Sequence, residues 1–390
     1  MEFLEQFRFL YDGVAALFTG DGWKSLIMLA IGGILIYLAL AKDFEPALLM
    51  PMGFGAILVN LPFSGAINQG DSVGIIQWLF DVGIKASEAM PLLLFIGIGA
   101  MIDFGPLLSN PKMLLFGAAA QFGIFLTVFL ASFFFPFKEA AAIGVIGAAD
   151  GPTSLLVSQV FESRYVGAIA VAAYSYMALV PIIQPAAIKL VTTKKERQIR
   201  MPYNPKKVSR KTRILFPIIV TIIAGLVAPA SVSLVGMLMF GNLLRECLKL
   251  DSLSQTAQTT LANLITILLG LTIAASMKAA DFVRLDTLVI MALGLFAFVF
   301  DTIGGVMLAK LMNLFLPKDQ KINPMVGGAG ISAFPMSARV IQKMALKEDN
   351  QNHLLMHAVG ANVAGQIGSV VAGGIILTVV PQMVSGMGLA

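Results

Sequence analysis

Gly144–Val145–Ile146–Gly147–Ala148–Ala149–Asp150–Gly151–Pro152–Thr153–Ser154–Leu155–Leu156–Val157 places one carboxylate inside a glycine-rich apolar run. A charged side chain at the centre of a bilayer costs about 2.5–3.5 kcal/mol on insertion scales, so Asp150 needs a cation, a proton or hydrogen-bond donors. The glycines ahead of it and Gly151–Pro152 behind it break the helix at the same point. Irregular backbone at membrane depth is tolerated only where it is buried in protein or lines a cavity. A carboxylate beside freed carbonyls suits a small hard cation. A core aspartate that merely caps a half-helix is the plainer alternative; recurrence of the pattern twice more in the chain argues against it.

The rest of the chain is consistent with membrane depth. Hydrophobic residues make up 57% of the 390 and charged residues 13%, and the mean hydropathy is +0.85. That is about half the charge of an ordinary soluble domain. Apolar runs long enough to span a bilayer recur from end to end, which leaves no room for a soluble catalytic domain. The expectation is an all-α polytopic membrane protein of roughly ten to twelve segments, some broken or re-entrant. Met1–Gly22 is amphipathic and lacks the basic start and cleavage site of a signal peptide. Cys247 is the sole cysteine, which excludes an intrachain disulfide and argues against a thiolate metal site. His353 and His357 stand at ligand spacing without a third ligand in view, so the ordinary structural reading is preferred. Neither a Walker-type loop nor a nucleophile elbow nor a His-Glu-x-x-His pair is present, so ATP does not drive this chain directly.

Ten of the 27 basic residues fall between Lys189 and Arg213, against Glu196 alone. Without interleaved aromatics this is not a nucleic-acid patch, and no nucleic-acid partner is expected. By the positive-inside rule it is a cytoplasmic loop, able also to hold anionic lipid or an acidic soluble partner.

The expected organisation is an amphipathic segment over 1–23, first helices over 24–88, a first repeat over 89–192 and the basic loop over 193–213. Connecting helices over 214–256 and a second repeat over 257–390 follow. The repeat is carried by Met113–Phe135, Gly147–Asp150 and a helix bearing Tyr176, matched by Leu288–Leu316, Gly327–Gly330 and a helix bearing Asn362. Glycine-interrupted segments at matching places in two halves point to a midplane site. An odd number of spans between the copies makes the repeat inverted, the arrangement expected, with the broken helices meeting at the midplane.

Four polar clusters stand out. Asp150 is followed by Thr153, Ser154 and Ser158; Tyr174–Ser175–Tyr176 precedes Pro181; Asn323–Pro324 leads through Gly327 to Ser332 and Arg339; Asn362, Gln366 and Ser369 form one helical stripe. These oxygens suit Na⁺ better than a soft metal. Tyr176 can pass a proton, and Arg339 offers a permanent charge for an anion or for Asp150. Asp103, Lys278 and Asp281 read as helix-end residues; Asp301 lies deeper and is an open candidate.

Together these motifs resemble the β subunits of the sodium-pumping, biotin-dependent decarboxylases, the oxaloacetate, methylmalonyl-CoA, glutaconyl-CoA and malonate enzymes. The similar stretches are Gly53–Pro62, Phe95–Phe104, Gly147–Thr153, Tyr174–Pro185 and the two C-terminal glycine segments, within about residue 24 to the C-terminus. The resemblance implies that carboxybiotin, presented by a partner and not attached to this chain, is decarboxylated while Na⁺ is exported and an external proton consumed. It implies a carboxyltransferase subunit, a biotin carrier subunit or domain, a small membrane anchor subunit and a homo-oligomer in the bacterial cytoplasmic membrane. Carried over by motif, Asp150, Asn323 and the backbone at Gly327 form one Na⁺ centre. Tyr176 and Ser332 form a second that also handles the proton. Arg339, Asn362 and Ser369 match further functional positions, with Arg339 facing the carboxylate of carboxybiotin. Ala361 replaces an expected proline and Gln366 an expected apolar residue, which alters the local geometry of that helix. A stand-alone Na⁺-coupled transporter would use the same features without a biotinylated partner. A purely structural anchor would tolerate loss of Asp150 and Tyr176.

Overall fold

A computed structural model describes residues 9–42, 46–86, 89–203, 207–227, 229–317, 320–334 and 336–386. The first eight residues of the expected amphipathic segment, Lys206 of the basic loop and the end of the second repeat (387–390) lie outside the described residues. Among the described residues every regular element is helical.

The first group comprises α1 (Phe9–Leu17), α2 (Gly22–Lys42), α3 (Pro46–Asn60), α4 (Ile75–Phe80) and α5 (Ala89–Met101). Then come α6 (Leu114–Ala119) and α7 (Phe122–Ala131), two limbs of one span that meet at Ala120–Gln121. The short α8 (Phe137–Gly144) and α9 (Gly151–Val160) precede α10 (Val166–Val191). Beyond the basic loop lie α11 (Arg210–Val227), α12 (Val232–Glu246), α13 (Ala262–Ile273) and α14 (Leu285–Phe315). The chain closes with α15 (Pro324–Gly328), α16 (Met336–Glu348) and α17 (Leu355–Gly386).

Five stretches among the described residues are long and apolar enough to cross a membrane, and two bent pairs raise the number to seven. This is fewer than the ten to twelve segments expected from hydropathy. Only helices of at least 18 residues are in that number; the expected broken segments, such as those around Asp150 and after Pro324, and the apolar helix Pro46–Asn60 are shorter. α14, at 31 residues, is about 46 Å long at 1.5 Å per residue, more than the ~30 Å hydrocarbon core requires. Its far end stops at Leu316, which is extended and precedes Pro317. α10 bends by 72° between Val166–Met177 and Leu179–Val191, close to Pro181 and Pro185. Each proline removes a helical N–H and crowds the preceding turn.

α11 turns Leu215, Ile219, Ile222, Ile223 and Leu226 outward. Such a stripe would drive association in water and is covered by acyl chains in a bilayer. The main buried cluster joins Phe116, Val145, Leu156, Phe298, Met325 and Ile331 from both halves of the chain. Another joins Met28 of α2 and Met52 of α3 to Leu94, Tyr174 and Leu269. These clusters hold the breaks in the protein interior.

Of the several contacts close enough to require glycine, two press a break against the opposite half. A Cβ on Gly147 would stand 2.7 Å from both Ala297 Cβ and Asp301 Oδ2 on α14. A Cβ on Gly330 would stand 2.4 Å from Phe116 O on α6. Each break is thus pressed against the long span from the other half of the chain.

Candidate functional site

The first break is built by its own sequence. α8 tightens into a 3-10 turn over Val145–Ala148, and Ala149 then adopts left-handed backbone at φ +52°. A residue with a Cβ pays about 1–2 kcal/mol for that geometry, so the surroundings hold it in place. Asp150 is extended and caps α9. Thr153 donates to it twice, from its hydroxyl to Oδ2 at 2.7 Å and from its N–H to Oδ1 at 3.4 Å. Ser154 and Ser158 bond instead to main-chain carbonyls, Asp150 O at 2.9 Å and Leu155 O at 2.7 Å.

The second break follows α15, where the chain leaves helix before α16. Ser332 within it donates to Ala148 O of the first break through both its N–H (3.1 Å) and its hydroxyl (3.0 Å). The two interruptions are therefore hydrogen-bonded to each other. α17 closes them from one side: Ser369 Oγ lies 2.8 Å from Asp150 Oδ2, and Asn362 Nδ2 donates to Ile331 O at 2.7 Å. Asn362 Oδ1 is buried without a hydrogen-bond partner among the described residues. Asp150, Ser332 and Gln366 line a cavity of about 270 Å³, whose walls include Leu94, Ile98 and Tyr174. Tyr174 Oη is also buried without a partner among the described residues.

Asp150, Ser332 and Ser369 thus converge, and Asn362 holds Ile331, the residue before Ser332. Other expected residues lie elsewhere in the structure. Asn323 caps α15 through its Oδ1 and donates its Nδ2 to the carbonyls of Arg197 and Ile199, both at 2.8 Å. It ties the basic loop to α15, and Asn352 reaches the same two carbonyls at 3.2 Å. Gly327 is packed against Gly305 of α14. The Tyr176 hydroxyl donates to Met291 O on α14, and its ring packs against Gly294. Arg339 points outward from α16 and forms no ion pair with Asp150 or with any other described residue.

The basic loop is anchored by charge. Arg197 pairs with Glu348 at 2.7 Å, and Arg200 grips both oxygens of Asp349 at 2.6 and 3.1 Å. The Arg200 guanidinium holds the Asp349 carboxyl below the usual carboxylate range. Gln184, between the prolines of α10, donates to Gly328 O at 2.8 Å and lies 2.6 Å from Ser337 Oγ. It ties α10 to both sides of the second break. Its position inside Gln184–Pro185 was visible in the sequence, whereas Asn352 sits in an ordinary polar loop with nothing to single it out.

Asp301, the open candidate, is fully buried. Its Oδ1 accepts the Ile124 N–H at 3.0 Å, across 177 residues. Ile124 belongs to the first turn of α7, whose N–H groups lack helical partners, so Asp301 caps that helix from a neighbouring one.

Residues 24–380 match the family described as the Na⁺-transporting oxaloacetate decarboxylase beta subunit. The chain is 47% identical to the methylmalonyl-CoA decarboxylase subunit beta of Propionigenium modestum, covering 93% of this chain and 96% of that one. It is 48% identical to the glutaconyl-CoA decarboxylase subunit beta of Acidaminococcus fermentans, over 93% and 95%. With the oxaloacetate decarboxylase beta chain of Klebsiella pneumoniae the identity is 43%, over 97% and 100%. A buried carboxylate between two interrupted helices and a match along nearly the whole chain agree: this protein belongs to the family of beta subunits of Na⁺-pumping, biotin-dependent decarboxylases.

Proposed function

We propose that the chain is the membrane subunit that decarboxylates carboxybiotin and couples this to Na⁺ export, with consumption of an external proton. The observation that carries the reading is the Asp150 carboxylate, held where two broken helices meet beside a cavity. In this reading Asp150 is the charged ligand for Na⁺, and Ser369 and Thr153 fix its orientation. Ser332 and the freed backbone at Ala148 supply neutral oxygens. Asn362 Oδ1, buried and partnerless among the described residues, is a further amide acceptor on the same helix as Ser369. A small cation with several oxygen ligands fits that set.

Tyr176 would serve the proton in a conformer in which its hydroxyl leaves Met291 O. Asn323 and Gly327 would act through the loop and α14 contacts that position the second break. Arg339, outward-facing, is available to a carboxylate arriving with a soluble partner. Carboxybiotin carries a carboxylate that is lost as CO₂ once it is desolvated. The apolar wall of the cavity provides the poorly hydrated surroundings. Coupling requires two states with different ion access, and the two halves, packed reciprocally through Gly147 and Gly330, form an inverted pair able to rock about Asp150.

The basic loop faces the cytoplasm in this proposal, on the side where carboxyltransferase and biotin carrier dock, with a small anchor subunit and further copies of the chain in the assembly. The test is reconstitution in liposomes with and without a carboxylated biotin carrier. Radiolabelled Na⁺ should move only when the carrier is present and losing CO₂. Full Na⁺ flux without any carrier would identify a stand-alone transporter instead.

A further inference from the structure

α10 and α16 enclose a groove of about 180 Å³ that shares no lining residue with the Asp150 cavity. Pro181, Pro185 and Lys189 of α10 form one wall, a stripe at helical spacing; Lys343, Met344 and Lys347 of α16 form the other. All three lysines are outward-facing, and none forms an ion pair among the described residues. Glu348 at the edge does not neutralise them, since its carboxylate is taken by Arg197 at 2.7 Å. Exposed apolar side chains are next to the lining residues in sequence: Ile182 after Pro181 (58% exposed), Leu190 after Lys189 (78%) and Leu346 before Lys347 (39%). Lys189 stands three residues before Thr192, where the basic loop begins, so the groove opens at the membrane face that carries that loop.

We infer that this groove binds the phosphodiester headgroup of an anionic phospholipid, with its acyl chains along Ile182 and Leu190. Basic pockets between membrane helices on the cytoplasmic side suit such headgroups. Charge selects the occupant: three unneutralised lysines around a small cleft favour an anion, and the neighbouring exposed apolar side chains favour one that brings its own hydrocarbon. A bound lipid bridges α10 and α16, the two helices that Gln184 already links at the second break. The lipid thereby braces the backbone next to Ser332.

Native mass spectrometry of the full chain, titrated with dioleoyl phosphatidylglycerol or dioleoyl phosphatidylcholine in detergent, tests this. Three proteins are compared: the parent, the triple variant Lys189→Gln/Lys343→Gln/Lys347→Gln, and a control carrying Lys194→Gln/Lys195→Gln/Lys207→Gln in the loop. Parent and control should retain phosphatidylglycerol in preference to phosphatidylcholine. The groove variant should lose roughly a hundredfold in phosphatidylglycerol affinity, each lysine near an anionic headgroup contributing about a factor of five. Its thermal stability in phosphatidylcholine should equal the parent's. Unchanged phosphatidylglycerol binding by the groove variant overturns the inference, as does an equal loss in the control. Binding of inorganic phosphate by the parent as tight as its binding of phosphatidylglycerol would make the groove a free-anion site. Unchanged lipid binding by the groove variant, together with loss of the soluble subunits when its complex is purified, would make it a protein-docking surface. Either outcome also rejects the proposal.

Discussion

Ser369 and Asp150 stand 219 residues apart in the sequence and 2.8 Å apart in space. This contact fixes the last helix, α17, to the carboxylate at the first break. A hydrogen bond to a charged group contributes about 1.5–3 kcal/mol. Ser369→Ala should therefore raise the Na⁺ concentration for half-maximal decarboxylation by about tenfold or more, with folding intact. A Na⁺ titration of the reconstituted complex checks this, and an unshifted midpoint means that Ser369 only packs.

Gly330→Ala should disturb the meeting of the halves. The new methyl would stand 2.4 Å from Phe116 O, a main-chain atom that cannot step aside alone. Overpacking of this kind costs about 1–3 kcal/mol. Gly33→Ala on α2, where nothing lies within 4 Å, is the matched control. Thermal unfolding in detergent should fall clearly for the first and hardly change for the second.

Asp301 gives a test of cross-helix capping. Asp301→Asn keeps an oxygen for the Ile124 N–H, whereas Asp301→Ala strips that donor of its partner in a buried site. An abandoned buried donor costs about 1–3 kcal/mol. The alanine variant should unfold at lower temperature than the asparagine variant; equal stability of the two would refute the capping role.

Much of this arrangement is legible in the sequence. Gly147–Thr153 announced a broken helix with a carboxylate, and the i, i+4, i+7 spacing put Asn362, Gln366 and Ser369 on one face. Ser332 belonged to a second interrupted segment by its glycines. The destinations of Asn323 and Tyr176 were not readable. Asn323 goes to carbonyls of Arg197 and Ile199 because Arg197–Glu348 and Arg200–Asp349 pull the loop over α15. Tyr176 finds Met291 O because the limb of α10 before its bend packs along α14. Such partners are set by tertiary packing between segments more than a hundred residues apart, which no local pattern records.

The loop latch predicts a protease phenotype. Asn323→Ala removes one of the two amides that hold the Arg197 and Ile199 carbonyls. Trypsin should then cut after Arg197 and Arg200 several times faster in the folded protein. Asp349→Asn should act in the same direction. Because Arg200 depresses the Asp349 carboxyl, the charged contact is complete at neutral pH, above the unfolded value of about 3.9. It is lost only as pH falls through the lowered folded value. Unchanged cleavage in both variants would mean the loop is held by other contacts.

The most direct test of the account is Asp150→Asn, assayed in liposomes for decarboxylation of the carboxylated carrier and for radiolabelled Na⁺ movement at graded Na⁺. Asparagine keeps the shape and the cap on α9 while deleting the charge. If Asp150 is the charged Na⁺ ligand, Na⁺-stimulated turnover and Na⁺ transport should both collapse in a protein whose thermal stability stays near the parent's. Turnover close to the parent's with an unchanged Na⁺ dependence would contradict it.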